Sequence, residues 1–301
     1  MQTIVVLRIS VLHDIIRREQ AEDFSMKLIR YMPLEYGLKS VMSGEFKLLR
    51  PLDANDPYEM MGAVKGELKP EVESRLLDDM RYKWVTERMK IGVREKWPNN
   101  FQEVEMRVKN YKNIWQKTIM ERGIQQENQV LSFADAFEID GTSDQLLWGH
   151  YAEGGRGVRI WFDSELFPVE LSIIKPIQYS PHRPYFDLGE LSDYRDTEVM
   201  KDYLLNVLFT KSDAWAYEKE QRLLIPFKIR EKFVINHDKL EFVRIPQQAI
   251  TRIDFGPKGT IYDTEKQIDE LKKNPMLNNV DFRVATFDEC GYSYRYECFQ
   301  A

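Results

Sequence analysis

The sequence predicts an α+β protein built on a mostly antiparallel sheet. Three observations point there. Apolar runs of strand length recur between turn signals, helical periodicity is concentrated in one middle segment, and strands and helices do not alternate as in a doubly wound fold. With 301 residues, of which 43% are hydrophobic, 12% aromatic and 31% charged, the chain is long enough to bury a substantial core.

Thr3 to Leu12 is apolar but short and interrupted by Arg8, with no basic leader and no small-residue cleavage site. Neither a signal peptide nor a membrane span is expected from it. Met26 offers a second start, so residues 1–25 read as an appendage to a single α+β domain over 26–301. Lys27 to Met32 alternates and stops at Pro33, as a strand does. Glu35 to Ser43 reads as a short helix with Leu38 and Val41 on one side and Gly44 at its C-cap, and Phe46 to Arg50 as a strand ended by Pro51. Asn55-Asp56-Pro57-Tyr58-Glu59 is a turn, because Asn and Asp side chains bond nearby backbone amides and Pro sets the chain direction.

Residues 70–125 are the most helical part. Leu76, Met80, Trp84 with Val85, and Met89 recur at helical spacing, as do Val104, Val108, Tyr111, Trp115 and Ile119, with Pro98-Asn99-Asn100 between the two runs. This predicts a helical hairpin inserted at about 64–128, apolar inside and basic outside. Between Arg81 and Arg122 there are eleven basic residues against five acidic, in a chain of net charge -6. Those basic faces could meet a nucleic acid or protein acceptor, although solvated helix faces carry the same pattern.

Val130 to Ala134 is a strand candidate. Thr142-Ser143-Asp144 offers N-caps for a helix bearing Leu146, Leu147, Trp148, His150 and Tyr151, closed by Gly154-Gly155, and Gly157 to Phe162 is the next strand. The glycines match neither Gly-x-Gly-x-x-Gly nor a P-loop. Ile173 to Tyr179 reads as a strand, Ser180 to Pro184 as a loop, and Asp193 to Phe209 as a helix capped by Ser192. Phe242 to Ile245, Ile250 to Phe255, Val280 to Phe287 and Tyr292 to Phe299 are strands, and Thr264 to Lys273 a helix with a Thr-x-x-Gln cap.

Cys290 and Cys298 have no Cys-x-x-Cys spacing, which points to a reducing, cytoplasmic compartment and gives zinc no ligand set. His13, His150, His182 and His237 are scattered, so no metal site is expected. The chemistry-bearing stretch is Lys211 to Ile225. If extended from Trp215, it places Glu218, Glu220 and Arg222 on one face, with Trp215, Tyr217, Leu223 and Ile225 on the other. Two carboxylates so close repel unless a cation or ligand lies between them, which is how acid/base pairs are commonly arranged. A helix remains open, in which Glu218 and Arg222 make an ordinary surface pair.

Three stretches together resemble the bacterial family catalogued as domain of unknown function 2971. They are Asn55 to Glu59, Trp148 to Ala152 with Gly157-Val158, and Trp215 to Arg222. A looser similarity is to mono-ADP-ribosyltransferases, in which an early strand ends in Arg or Tyr, a middle strand carries Ser and a late Glu-x-Glu follows, in a split antiparallel sheet around NAD. Arg30 or Tyr31 would take the first position, Ser132 the second and Glu218-Lys219-Glu220 the third. Here the serine stands in Leu-Ser-Phe rather than Ser-Thr-Ser, and the helical insertion falls between the first two positions.

That resemblance implies transfer of ADP-ribose from NAD to a nucleic acid or protein, as a toxin or antiphage effector. Glu220 would hold a ribose hydroxyl as positive charge builds on the sugar, and Glu218 would take the acceptor's proton or orient it. Trp148, Tyr151 and Tyr217 would stack on nicotinamide or adenine, with His150 beside them, and Arg30 or Arg222 would hold the pyrophosphate. Each has a plainer reading: Trp148 and Tyr217 as core aromatics, His150 as a structural histidine, Arg222 as a counter-ion. Two other classes stay open. One is a sensor module that binds a nucleotide or peptide without chemistry. The other, ranked last because the carboxylates lack metal-ligand spacing, is a metal-dependent nuclease using Asp53 and Asp56 with the glutamates.

Overall fold

A computed structural model describes residues 26–88, 101–110, 112–113, 129–168, 171, 174–193, 197–225, 230–238 and 240–299. The strands are β1 Lys27–Met32, β2 Glu45–Lys47, β3 Ala63–Lys65, β4 Gln129–Asp135, β5 Val158–Asp163, β6 Ile174–Pro176, β7 Gln178–Ser180, β8 Tyr185–Asp187, β9 Thr210–Ser212, β10 Glu220–Ile225, β11 Val234–His237, β12 Leu240–Arg244, β13 Ile250–Phe255, β14 Asp281–Phe287 and β15 Tyr294–Cys298. The helices are α1 Leu34–Ser43, α2 Pro70–Arg88, α3 Phe101–Lys109, α4 Gly141–Tyr151, α5 Thr197–Leu208, α6 Arg230–Phe233 and α7 Ile261–Lys272.

Eight strands form the main sheet in the order β15-β14-β13-β5-β1-β4-β10-β6. Among its neighbouring pairs only β13 and β14 run parallel, so the α+β, mostly antiparallel architecture is observed. Smaller ladders join β11-β12-β2, β3-β8 and β7-β9, the last two parallel. Pairing of β1 with β4 covers only Leu28↔Asp135 and Ile29↔Ala134, whereas β1 pairs with β5 along its whole length.

The two faces of the central strands differ. Leu28, Leu131, Phe133, Ile160, Phe162, Leu223 and Ile225 share one apolar core with Val41 and Phe46. Edge-to-face contacts of Phe162 with Phe46 (5.2 Å) and Phe133 (5.3 Å) each add about 0.5–1.5 kcal/mol beyond burial. On the opposite face Val130 and Leu224 pack under α5 with Leu204, Val207 and Leu208. Further along, Ile29, Tyr31 and Ala134 pack with Leu147 and Trp148 of α4. Side chains alternate along a strand, so Ser132 lies between Val130 and Ala134 on this second face, flanked by two apolar clusters. All of β10 is buried, which is why Glu220 and Arg222 must satisfy one another and their neighbours internally.

Several boundaries depart from the sequence expectation, each for a local reason. The helix over Gly141–Tyr151 is capped by Asp140, which accepts the Ser143 N–H at 2.7 Å, rather than by Thr142, Ser143 or Asp144. Asp144 is instead turned inward to an arginine. Thr260, accepting from Asp263, caps the helix expected to start at Thr264. The helix expected from Asp193 is described from Thr197 on, residues 194–196 lying outside the described residues, and the Ser192 carbonyl accepts from Arg75 at 2.6 Å. Ile173 to Tyr179 divides into β6 and β7, which join different sheets, and Phe46 to Arg50 yields a three-residue strand followed by a bridge from Leu49 to Val130.

In the middle segment, Leu76, Met80 and Val108 of α2 and α3 are buried together, and Arg81 reaches Glu105 at 3.7 Å. Met89, Tyr111, Trp115, Ile119, Pro98-Asn99-Asn100 and residues 1–25 lie outside the described residues, as do the side chains of Trp84, Val85 and Val104. Among the described residues no helix is long and apolar enough to cross a membrane.

Candidate functional site

Glu218 and Glu220 meet, but not as members of one strand. Residues Asp213–Glu218 form a 3-10 turn with Ser212 as N-cap, and Lys219 closes it in the left-handed conformation (φ 48). The strand starts only at Glu220. The extended reading of Trp215 onward is thereby corrected, as is the helical alternative. The kink at Lys219, rather than strand alternation, brings both carboxylates to the Lys211 ammonium, at 2.6 Å from Glu218 and 3.4 Å from Glu220.

The site is a buried ion cluster assembled from widely separated places in the chain. Arg222 bonds Glu220 through Nε (2.8 Å) and Nη2 (3.1 Å), and its Nη1 donates to the Leu208 carbonyl at 2.6 Å. The Ser132 hydroxyl donates to Glu220 Oε1 at 2.6 Å. Arg30 Nη1 donates to the Ser132 carbonyl. Where β1 ceases to pair with β4, a guanidinium thus takes the place of a strand N–H. Arg30 Nε is sealed from solvent without an acceptor, although part of the residue reaches the surface. Glu59 enters from the Asn55–Glu59 turn, with Arg222 Nη2 at 2.7 Å and Lys211 Nζ at 3.6 Å. Tyr151 donates to Glu218, and the Tyr179 hydroxyl accepts the Glu220 N–H at 2.8 Å.

The electrostatics follow from that packing. Burial works against an ionised Glu220, yet Arg222, Lys211 and the Ser132 bond hold its carboxyl down at about 2. Lys211 stays above its ordinary value because Glu220, Glu218 and Glu59 outweigh its burial. Burial lowers Arg30 to about 10, with Glu220 opposing the shift. Burial and the Glu218 charge push the Tyr151 phenol up. At neutral pH Glu220 is therefore an anion fixed by cations and a hydroxyl, an arrangement that can stabilise positive charge forming beside it.

The expected site residues divide into three groups. Arg30, Ser132, Glu218, Glu220, Arg222 and Tyr151 converge. Tyr217 and His150 form an aromatic rim, with rings 5.8 Å apart and Trp215 a further 6.1 Å from Tyr217, and Lys211 Nζ lies 4.9 Å from the Trp215 ring. Tyr31 and Trp148 are taken up by the core. Trp148 is fully buried, donates to the Tyr296 hydroxyl at 3.0 Å and packs edge-on to Tyr31, so no ring face is left for a ligand. Tyr31 in turn donates to Asp144 at 2.5 Å, inside a buried network in which Arg159 bridges Asp144 (3.0 Å) and Asp254 (2.7 Å).

Glu59, Lys211 and Tyr179 were not foreseen as site residues. Charge balance is the signal that could have found Lys211, since two neighbouring carboxylates need more than the one cation Arg222 supplies. Among the described residues no His, Cys, Asp and Glu side chains are grouped as metal ligands. Asp53 pairs with Arg50 (2.7 Å), and Asp56 accepts the Tyr58 N–H (2.8 Å). On the basic helices, Arg81 and Lys112 are engaged with Glu105 and Glu67 (3.7 Å each). A cleft of about 550 Å³ opens beside the cluster rather than over it. It is lined by Tyr179, Arg183, Tyr185, Asp202, Tyr203 and Asn206 among others, and shares Tyr179 with the Glu220 environment. No protein-family model, curated protein or solved structure matches the chain.

Proposed function

We propose that the protein transfers ADP-ribose from NAD to a nucleic acid or protein acceptor, as a toxin or antiphage effector related to the family of unknown function that its three motifs resemble. In this reading the sheet is split between β1 and β4 in the manner of mono-ADP-ribosyltransferases, and the 64–128 segment is a helical hairpin that presents the acceptor. One observation carries it: Arg30, Ser132 and Glu220, separated by up to 190 positions of sequence, are joined in series across the adjacent strands β1, β4 and β10. A serine hydroxyl fixed on a glutamate at the end of a strand orients that carboxylate toward a ribose hydroxyl, where its charge counts most as the glycosidic bond breaks. Lys211, at 3.4 Å the loosest of the partners on Glu220, is the contact a ribose hydroxyl would replace. Tyr217 and His150 at the rim would receive a ring, Arg30 a phosphate, and Glu218 would orient the acceptor.

The test is release of nicotinamide from NAD, followed by chromatography. Wild type should release it, and Glu220→Gln and Ser132→Ala should slow release by roughly a hundredfold or more and by a smaller factor, respectively. Equal rates for all three proteins would end the reading. The position of the cleft, beside the carboxylates, favours a second reading as a nucleotide- or peptide-binding module without chemistry. That module would be stabilised thermally by its ligand while leaving it unchanged.

A further inference from the structure

Among the described residues strand β8 has one partner, β3, and its other edge opens on the cleft beside the ion cluster. Two observations place that edge. Successive side chains of a strand point to opposite faces, so a cavity lined by Tyr185, Phe186 and Asp187 in succession meets the strand from its edge rather than from one face. The hydrogen bonds agree. The Pro184 carbonyl accepts the Ala63 N–H at 2.9 Å and the Leu188 N–H donates to the Lys65 carbonyl at 3.0 Å, so the alternate residues Tyr185 and Asp187 turn their main-chain groups away from β3. Asp187 spends its carbonyl on the Glu190 N–H (3.2 Å), which leaves the Tyr185 N–H and carbonyl and the Asp187 N–H without a protein partner among the described residues.

The rest of the cleft says what would pair there. Phe186 packs on Tyr203 at 5.4 Å, which holds β8 against α5, and from that helix the exposed Asp202 and Asn206 line the cleft one turn apart. Asp187, Glu190 and Asp202 outnumber Arg183 and His182 on its walls even when both of those are cations. A nucleic acid brings a negative charge with every phosphate, so this lining repels it. A peptide with a basic side chain is attracted instead, and a peptide supplies the alternating N–H and C=O groups that a strand edge takes. The cleft also lies against the carboxylates. Tyr179 lines it and accepts the Glu220 N–H, Thr210 lines it next to Lys211, and Arg183 lies 5.3 Å from the ring of Tyr58, the neighbour of Glu59.

We propose that the cleft takes an extended, basic peptide segment, paired as an added strand on the open edge of β8, and that the acceptor is therefore a protein. The peptide site stands on the cleft alone, whereas the naming of the acceptor rests on the ADP-ribosyl transfer reading. In antiparallel pairing the Tyr185 N–H and carbonyl exchange both bonds with one peptide residue, and the Asp187 N–H takes the peptide carbonyl two residues away. A basic side chain of the peptide meets Asp202 or Glu190.

The experiment selects heptapeptides from a displayed random library on the full chain, then measures binding of the selected peptide, synthesised with a fluorophore, by anisotropy without NAD. The selected sequences should be basic and rich in β-branched residues. Tyr185→Pro removes the edge N–H while the bonds to β3 remain, and should weaken binding about tenfold, whereas Tyr185→Val keeps that N–H and should bind within about threefold of wild type. Asp202→Asn should weaken binding and flatten its dependence on salt. In wild type, hydrogen exchange at the Tyr185 and Asp187 amides should slow when the peptide binds, and this decides should Tyr185→Pro not fold. Equal affinities for the two Tyr185 variants, unchanged exchange at those amides, failure to select a peptide, or oligothymidine binding in the peptide's place would each overturn the inference. Exchange that slows on concentrating the protein alone would give the edge to a second copy of the chain and overturn it too. Peptide bound as described, with no nicotinamide released from NAD, would end the transfer reading and leave the peptide site. Nicotinamide release lost in Glu220→Gln, with no peptide on β8, would end this inference alone.

Discussion

Replacing Glu220 by glutamine should make stability depend less on acid. The Glu220 carboxyl falls from 4.5 to about 2 in the folded chain, and a shift of that size corresponds to roughly 3 kcal/mol. Because the folded value is the lower one, this stabilisation is complete above about pH 4.5 and is lost as pH falls toward 2. At pH 3 the linkage relation removes about 2 kcal/mol of it. Glutamine cannot titrate, and it leaves Arg222 and Lys211 short of a buried counter-charge, so the variant should be about 3–5 kcal/mol less stable at pH 7. Urea unfolding followed by tryptophan fluorescence at pH 7 and pH 3 measures both stabilities. The gap between wild type and Glu220→Gln should narrow by about 2 kcal/mol at the lower pH. Carboxylates away from the cluster titrate alike in both proteins and cancel, whereas the Glu59 carboxyl, raised in part by the Glu220 charge, moves down in the variant and works against the narrowing. A gap that stays constant would show that Glu220 is not the anion the ion cluster requires.

Ser132→Ala removes a charge-assisted bond of 2.6 Å and should cost about 1.5–3 kcal/mol in the same assay, with the acid limb of Glu220 moving up. Arg159→Met leaves Asp144 and Asp254 facing one another across a buried gap and should cost about 3–5 kcal/mol, whereas Arg244→Met, breaking an exposed pair with Glu45, should cost under about 1 kcal/mol. Equal losses for the two arginines would contradict the burial assigned to them. Gly62→Ala would bring a methyl within 2.2 Å of the Tyr203 hydroxyl and 2.6 Å of Val207, and about 1–3 kcal/mol should be lost as the turn carrying Glu59 is pushed from α5. A variant as stable as wild type would place that turn elsewhere.

The antiparallel sheet was legible because its strands are apolar and alternating, and β1, β5, β13 and β14 lie where Lys27, Gly157, Ile250 and Val280 announce them. The carboxylate pair was legible from the local sequence Glu218-Lys219-Glu220. Its geometry was not, since a left-handed lysine is a single-residue event that no periodicity reports. Trp148 and Tyr31 illustrate the opposite limit. An aromatic next to catalytic residue types reads the same whether its ring meets a ligand or, as here, Tyr296 and Asp144 from 148 and 113 positions away. Glu59 was hidden for a related reason, because a turn signal describes backbone direction and says nothing about where its last side chain is buried. The caps at Asp140 and Thr260 show competition between adjacent Ser, Thr and Asp residues that sequence spacing leaves undecided.

A crystal of Glu220→Gln soaked with NAD tests the central claim most directly, since the substitution keeps the shape of the site while slowing turnover. The C1′ end of the nicotinamide ribose should lie against residue 220 and Ser132, displacing Lys211, with Arg30 on a phosphate. NAD bound only in the cleft beside Tyr185 and Asp202, or absent while Lys211 keeps its place between the carboxylates, would contradict it.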